Sequence, residues 1–313
     1  MARSLVPKRG AQWLLALCLL ALLAVPLTGE VFYIRLVTRI FVFAILATSL
    51  NLLVGYTGLV SFGHAAFVGL GAYSVAALGL HGVGSAWVVW PAAILAAALG
   101  ALLIGALALR TSGVYFIMIT LAFAQMLYYV AVGSARFGGD DGVRLAARNS
   151  LGVLNLDKPV LFFYVVAAIF LAVLFACSRV VRSRFGRVLR GIKDNERRMQ
   201  SLGFDTYRYK LVAFVLAGAL AGLGGALDAN LNAFASPRLF HWELSGDLLI
   251  MIILGGLGSI AGAPIGAAAF IVLEEILSSL TKHWMAIFGP LMLLVILLHK
   301  GGIHALLAGK HER

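Results

Sequence analysis

Apolar residues in this chain gather into long runs, with most polar residues confined to the gaps between them. The runs cover Trp13 to Leu27, Leu36 to Val54, Gly58 to Leu80, Trp87 to Leu109, Val114 to Gly133, Val160 to Cys177 and Leu211 to Leu227. A pair follows within Leu248 to Leu280, and a last run extends from Met285 to Leu298. A helix needs about 20 such residues to cross the hydrocarbon of a bilayer. The pattern therefore predicts an all-α polytopic membrane protein of eight to ten transmembrane helices. Leu248 to Gly258 falls short: it rises about 16 Å, roughly half of a 30 Å core, and so predicts a half-helix or re-entrant segment.

Composition agrees, with 62% apolar residues, 12% charged and a mean hydropathy of +0.98. Charge then orients the chain. Between Ser178 and Lys210 ten Lys or Arg stand against Asp194, Glu196 and Asp205, so +7 of the net +12 sits in this one gap. Basic loops stay in the cytoplasm, which makes 178–210 an inner loop. Arg3, Lys8 and Arg9 start the N-terminus inside, and six crossings then place Arg110 in an inner turn and 134–159 as the main outer loop. Lys300, Lys310 and Arg313 put the C-terminus inside as well, so the number of crossings is even. The expected organisation is one transmembrane domain over 1–313: an N-terminal helix at 11–28, the two loops, and a C-terminal half at 211–299. The first run also has the layout of a signal peptide, but no small-x-small site followed by a soluble domain appears, which favours an uncleaved helix.

Several function classes drop out. Cys18 and Cys177 lie within apolar runs with no Cys or His at metal-binding spacing, so neither a metal site nor a disulfide framework is expected. No nucleotide-binding loop, zinc-protease motif or nucleophile elbow occurs. The chain is not expected to be an enzyme or to carry a cofactor; if it pumps, an ion gradient or another subunit supplies the energy. Nucleic acid is not an expected partner. Anionic lipid attracts such a loop at about 1 kcal/mol per basic residue, yet lipid alone does not account for the acids and glycines mixed into it.

Two glycine-rich segments interrupt the spans, NLLVGYTGLVSFGHAAFVGLGAY from Asn51 and LLIMIILGGLGSIAGAPIGAAAF from Leu248. Gly58-Leu59-x-Ser61-x3-Ala65 overlays Gly256-Leu257-x-Ser259-x3-Ala263 at a constant offset. One segment enters from the inner side and the other from the outer side, the arrangement of an inverted repeat, and repeats of this kind place broken helices where substrate passes. Scattered glycines serve close helix packing. Clustered beside polar side chains, they point to kinked helices exposing backbone. Asn51, Gly58, Ser61, His64, Gln125, Gly256, Gly258 and Ser259 are the candidate pathway residues, with His64 read first as a neutral, hydrogen-bonded packing residue. Glu274 and Glu275 are adjacent, about 100° apart on a helix, and cannot both face one path.

The inner loop reads as a short helix, with Arg190, Asp194 and Arg198 at i,i+4 spacing and Gly186 and Gly203 as its bounds. GRVLRGIKDNERRMQSLGFDTYRYKLVAFVLAGALAGLGGAL resembles the cytoplasmic coupling loop and following helix of LivM-type permease subunits of branched-chain amino acid ABC importers. The two glycine segments and SPRLFHWELS resemble further stretches of that family. The resemblance implies a bacterial inner-membrane permease, both termini cytoplasmic, paired with a second permease of the LivH type. It also implies two cytoplasmic ATP-binding subunits of the LivG and LivF kind, which bind ATP and Mg, and a periplasmic solute-binding protein. On this chain it implies a coupling surface at Gly186, Arg190, Gly191, Asp194, Asn195, Glu196, Arg198, Leu202 and Gly203, and a binding-protein contact at Arg136, Asp140, Asp141 and Arg144. Asp228, with Asn230 and Asn232 nearby, departs from the family's apolar pattern and leaves the substrate open among branched-chain amino acids, urea, amides and organic acids. An ion-coupled secondary carrier, or a scaffold that only binds lipid or a partner, are the readings from other classes.

Overall fold

The computed structural model describes residues 21–152, 156–283, 286–290, 292 and 302–303. Most of the expected first span, Trp13 to Leu27, and most of the last, Met285 to Leu298, lie outside the described residues. Within them the chain is almost wholly helical: α1 Val31–Thr57, α2 His64–Leu80, α3 Ala86–Ala108, α4 Val114–Val132, α5 Pro159–Arg182, α6 Arg184–Asp194, α7 Glu196–Ser201, α8 Thr206–Asn232, α9 Trp242–Gly255 and α10 Gly262–Leu280. Two-residue strands, β1 Val143–Arg144 and β2 Phe234–Ala235, pair antiparallel. Among the described residues six helices are long and apolar enough to cross a membrane, and α2 is a shorter apolar one.

The long helices outrun the apolar stretches because their stops are set by caps and by basic residues that reach past the hydrocarbon. α5 continues to Arg182, and α8 begins at Thr206, where the Asp205 carboxylate accepts the Arg208 N–H at 3.2 Å.

Contacts fix the direction of each helix. Phe41 stacks on Phe170 at 5.2 Å, and Tyr56 and Leu52 meet Val181, so α1 and α5 run the same way and both end on the face that carries the basic loop. Tyr207 donates to the Ala106 carbonyl at 3.0 Å, which puts the end of α3 and the start of α8 on that face too. On the opposite face Ser150 donates to the Gly84 carbonyl, and Arg148 donates to the carbonyls of Asn230 and Leu231 at 2.9 and 3.3 Å, closing the end of α8. Asn149 and Asn230 join their side chains at 2.8 Å, so Asn230 serves as an anchor for the opposite-face loop.

α1 is the central post. Its most apolar window is 89% buried, against 22% for α4, so α4 turns most of its surface to lipid or to a partner while α1 is enclosed by protein. α2 and α8 cross with backbone against backbone: a Cβ at Gly71 would fall on the Gly222 carbonyl, and one at Gly225 on that of Val68. Small residues permit this closeness in lipid, where packing instead of water exclusion drives association.

α1 and α9 each stop at a glycine, Gly58 at φ 76° and Gly256 at φ 114°, conformations open to glycine and strained for other residues. Each stop opens a non-helical gap, 58–63 and 256–261, before α2 and α10 begin at equivalent positions. The repeat seen in the sequence is thus a repeat of helix, break and helix. The inverted orientation, however, is not what the structure has. Arg39 meets Glu274 and Asn51 meets Ser259, so α10 runs against α1. α9 runs against α10, since Gly255 packs on Gly262 and Gly266 on Met251. α1 and α9 are therefore parallel, and both breaks lie at the ends nearer the basic face. The reason is one of counting: six passes separate the two glycine clusters, and an even number returns the chain to the same face.

Candidate functional site

The two breaks touch. The Asn51 side chain accepts the Gly258 N–H at 3.0 Å and donates to the Ser259 carbonyl at 2.8 Å, holding two backbone groups of the second break from a position about two turns above the first. Asn51 is buried, so these bonds carry the full cost of being lost. A Cβ on Gly55 would lie 2.7 Å from the Gly258 nitrogen, which shows how closely the backbones approach. Within each break a serine closes the turn: Ser61 accepts the Gly63 N–H and Ser259 accepts the Gly262 N–H, both at 3.2 Å.

His64 opens α2 fully buried, with Nε2 2.7 Å from the Ser49 hydroxyl. The same hydroxyl lies 2.7 Å from the Leu46 carbonyl; with its proton directed there, Nε2 donates and Nδ1 is the bare nitrogen. That Nδ1 is buried with no hydrogen-bond partner among the described residues. Gln125 is not brought to the breaks: it is half-buried on α4, whereas Thr120, five residues earlier, backs directly onto Gly63.

The basic loop folds as a three-step staircase, not as one helix. Ser183 caps α6, Asn195 caps α7 by accepting the Arg198 N–H at 3.0 Å, and Asp205 caps α8. Asn195 is extended, with φ −162° and ψ 98°, and interrupts the expected i,i+4 ladder. Arg190 donates instead to the carbonyls of Gly186 and Val181, while Asp194 and Arg198 make no ion pair among the described residues. The interruption has a physical cause, since an Asn side chain that can cap the next helix competes with continuing the previous one.

Glu196 is held by Lys210 at 2.6 Å and by the Thr206 hydroxyl at 2.9 Å, which ties α7 to the start of α8. Leu189 and Ile192 bury one side of α6, Gly191 packs on Met199, and Gly186 lies against the end of α5. Arg184, Arg187, Asp194, Arg197, Leu202 and Gly203 face solvent.

Lys193, which the sequence did not single out, connects the loop to the breaks. Its Nζ donates to the Gly55 carbonyl at 2.8 Å, and its stem lies beside Gly58. The carbonyls at the end of α1 lack helical partners, and a cation there satisfies one of them. That need is the only signal in the sequence that could have pointed to Lys193: a helix stopped by glycine facing a basic loop. Sequence reasoning also missed that Glu274 is taken by Arg39, with both carboxylate oxygens 3.0 Å from Nη2.

On the opposite face Arg136 bonds His81 at 2.9 Å and Arg144 lies in β1, while Asp140 and Asp141 form a single 3-10 turn. The Arg148 guanidinium, half-buried, has its pKa lowered by burial and then by the charge of Arg35, with Asp157 opposing.

Broken helices packed at one end of a helical bundle, with a mixed-charge loop bonded to them, define a multi-pass membrane permease. The chain belongs to the family described as branched-chain amino acid transport system / permease component, which matches residues 32–297. It is similar to the high-affinity branched-chain amino acid transport system permease protein LivM of Escherichia coli (strain K12), 29% identical over 295 residues that cover 86% of this chain and 69% of the relative. The LivM protein of Salmonella typhimurium is 28% identical over the same shares. Similarity extends to LivH of Escherichia coli (strain K12), 24% identical over 284 residues that cover 83% of this chain and 90% of the relative. No solved structure matches the chain.

Proposed function

We propose that this chain is one of two permeases in a bacterial ABC importer for branched-chain amino acids, pairing with a LivH-type partner to enclose the substrate path. The basic face is cytoplasmic, as are both termini, and the membrane is the inner one. Two ATP-binding subunits, carrying ATP and Mg, seat the α6–α7 surface. A periplasmic binding protein delivers substrate to the opposite face, where Arg136, Asp140, Asp141 and Arg144 lie. The observation that carries this reading is the Lys193 bond to the Gly55 carbonyl, which joins a solvent-exposed loop to the break in the central helix. Closure of the ATPase pair pushes α6, Lys193 moves the end of α1, and Asn51 passes the displacement to the second break. Two of the carboxylates that motivate an ion-coupled carrier are engaged: Glu274 by Arg39, and Asp228 by Asn232 with Arg39 nearby.

The test is reconstitution of the chain with its second permease, ATPases and binding protein in liposomes, following leucine uptake and ATP hydrolysis. Glu196→Lys, which reverses the charge facing Lys210, and deletion of 190–203 are expected to abolish uptake and its stimulation of hydrolysis. Intact uptake in both variants overturns the coupling role, and gradient-driven uptake by this chain alone overturns the ABC assignment.

A further inference from the structure

Away from the breaks, a cavity of about 550 Å³ opens between α4, the turn before α9 and the first turns of α9. Its depth follows from its neighbours. Tyr128 lies one turn from the opposite-face end of α4, and Phe240, in the same turn as Arg238 and Leu239, packs against Tyr73 at 5.2 Å. The cavity therefore sits in the half of the bundle nearer the opposite face, above the break that ends α9. Its size is within the range of about 300–1,000 Å³ typical of small-molecule sites.

The lining carries both signs of charge. Arg238 is exposed, and its guanidinium makes no hydrogen bond or ion pair among the described residues. Asp247 likewise has no hydrogen-bond partner among them, although Glu274, Glu243 and Arg39 are within electrostatic reach. Glu243 is drawn to His241, 3.5 Å away, and the His241 ring stands edge-on to Tyr128 at 5.3 Å. Asp247, the more buried of the two carboxylates, is the one the cavity offers to a ligand. Arg238 and Asp247 border one cavity without closing on each other, so the space between their charges exceeds an ion pair. Leu239, Leu244 and the Tyr128 ring supply an apolar wall.

We infer that this cavity binds the zwitterion of an apolar α-amino acid: Arg238 takes the carboxylate, Asp247 the ammonium, and Leu239, Leu244 and Tyr128 the side chain. A cation and a carboxylate that border one cavity without pairing, beside the apolar side chains of Leu239, Leu244 and Tyr128, match a ligand that carries both charges. Urea and simple amides leave both charges unanswered, which costs affinity because each charge then loses solvent without gaining a partner. The inference rests on the proposed function for its substrate class, and it adds where in the chain that substrate is first held.

The experiment is equilibrium binding of radiolabelled leucine to the purified full-length chain in lipid nanodiscs, alongside leucine uptake by the reconstituted importer. Saturable binding is expected, weakened at least about tenfold by Arg238→Gln and by Asp247→Asn, the loss that follows from one charge-assisted hydrogen bond. Arg238→Lys should recover part of it, and Leu244→Trp should exclude leucine while admitting glycine. Binding that is absent from the wild type, or unchanged in Arg238→Gln and Asp247→Asn, overturns the pocket. Failure of the proposed function looks different: the wild-type importer then takes up no leucine, while charge-dependent binding to the chain persists and upholds the pocket. Normal uptake without such binding sinks the pocket alone.

Discussion

The two breaks have the same length and the same opening glycine, yet they are held in different ways. The first, 58–63, is held from outside the bundle by Lys193 and from inside by the Ser49–His64 pair. Among the described residues the second, 256–261, makes no hydrogen bond to the basic loop; it is held by Asn51, by Ile260 packed against Leu52, Tyr56 and Val181, and by the packing of α9 on α10. Gly302 also lies against Gly255 and Gly256, so the chain returns to this spot near its end. The difference implies an order. On the proposed coupling role, force from the loop would reach the first break through Lys193 and the second through Asn51 and through the Leu52–Tyr56–Val181 cluster on which Ile260 packs, so the pair would act largely in series.

The largest effect should come from the second break's packing. Gly255→Val would press its side chain into the backbone of Gly262 and Gly266, and a loss of about 3 kcal/mol or of folded protein is expected in thermal unfolding. A stable Gly255→Val protein would mean that the α9–α10 contact is looser than described. Next is Asn51→Leu, which strands a buried N–H and a buried carbonyl at a cost of about 2–4 kcal/mol. Asn51→Asp keeps the acceptor for Gly258 and should lose about half as much. Lys193→Met should then separate coupling from stability, lowering leucine uptake about tenfold while moving the melting temperature by about 2 °C or less, because the side chain is exposed. Uptake that survives Lys193→Met would break the series and leave the two breaks independent. The smallest effects are expected from Asp194→Ala and Arg198→Ala. With no ladder between them, unfolding should shift by about 0.5 kcal/mol or less, and a larger loss would restore the single-helix reading of the loop.

Much of this architecture is legible in the sequence because lipid imposes a simple rule: a helix that crosses must be apolar for its whole length. The spans from Leu36 to Leu227 follow from that rule to within a few residues at each end. The breaks were legible too, since glycines clustered beside Asn51, Ser61 and Ser259 suit neither a smooth helix nor a lipid-facing surface. What could not be read are contacts between positions far apart in the chain. Lys193 meets Gly55 across 138 residues and Asn51 meets Ser259 across 208, and no periodicity links them. The direction of the repeat was lost for a related reason: aligned letters show likeness but not heading. The loop misled for the opposite reason. Its charges at helical spacing were real, but Asn195 has a local alternative that spacing alone does not weigh.

Under the proposed coupling, the crossing of α2 and α8 would serve as a fulcrum. Backbones in direct contact at Gly222 and Gly225 can pivot but have little room to slide. From that point α8 extends about 26 Å to Thr206 on the loop side and about 13 Å to Asn232 on the other, at 1.5 Å per residue. A tilt about the crossing moves the two ends in opposite senses, with the loop end travelling about twice as far. A thrust from a soluble motor would therefore arrive at the far mouth halved in amplitude, reversed in direction and, by leverage, increased in force.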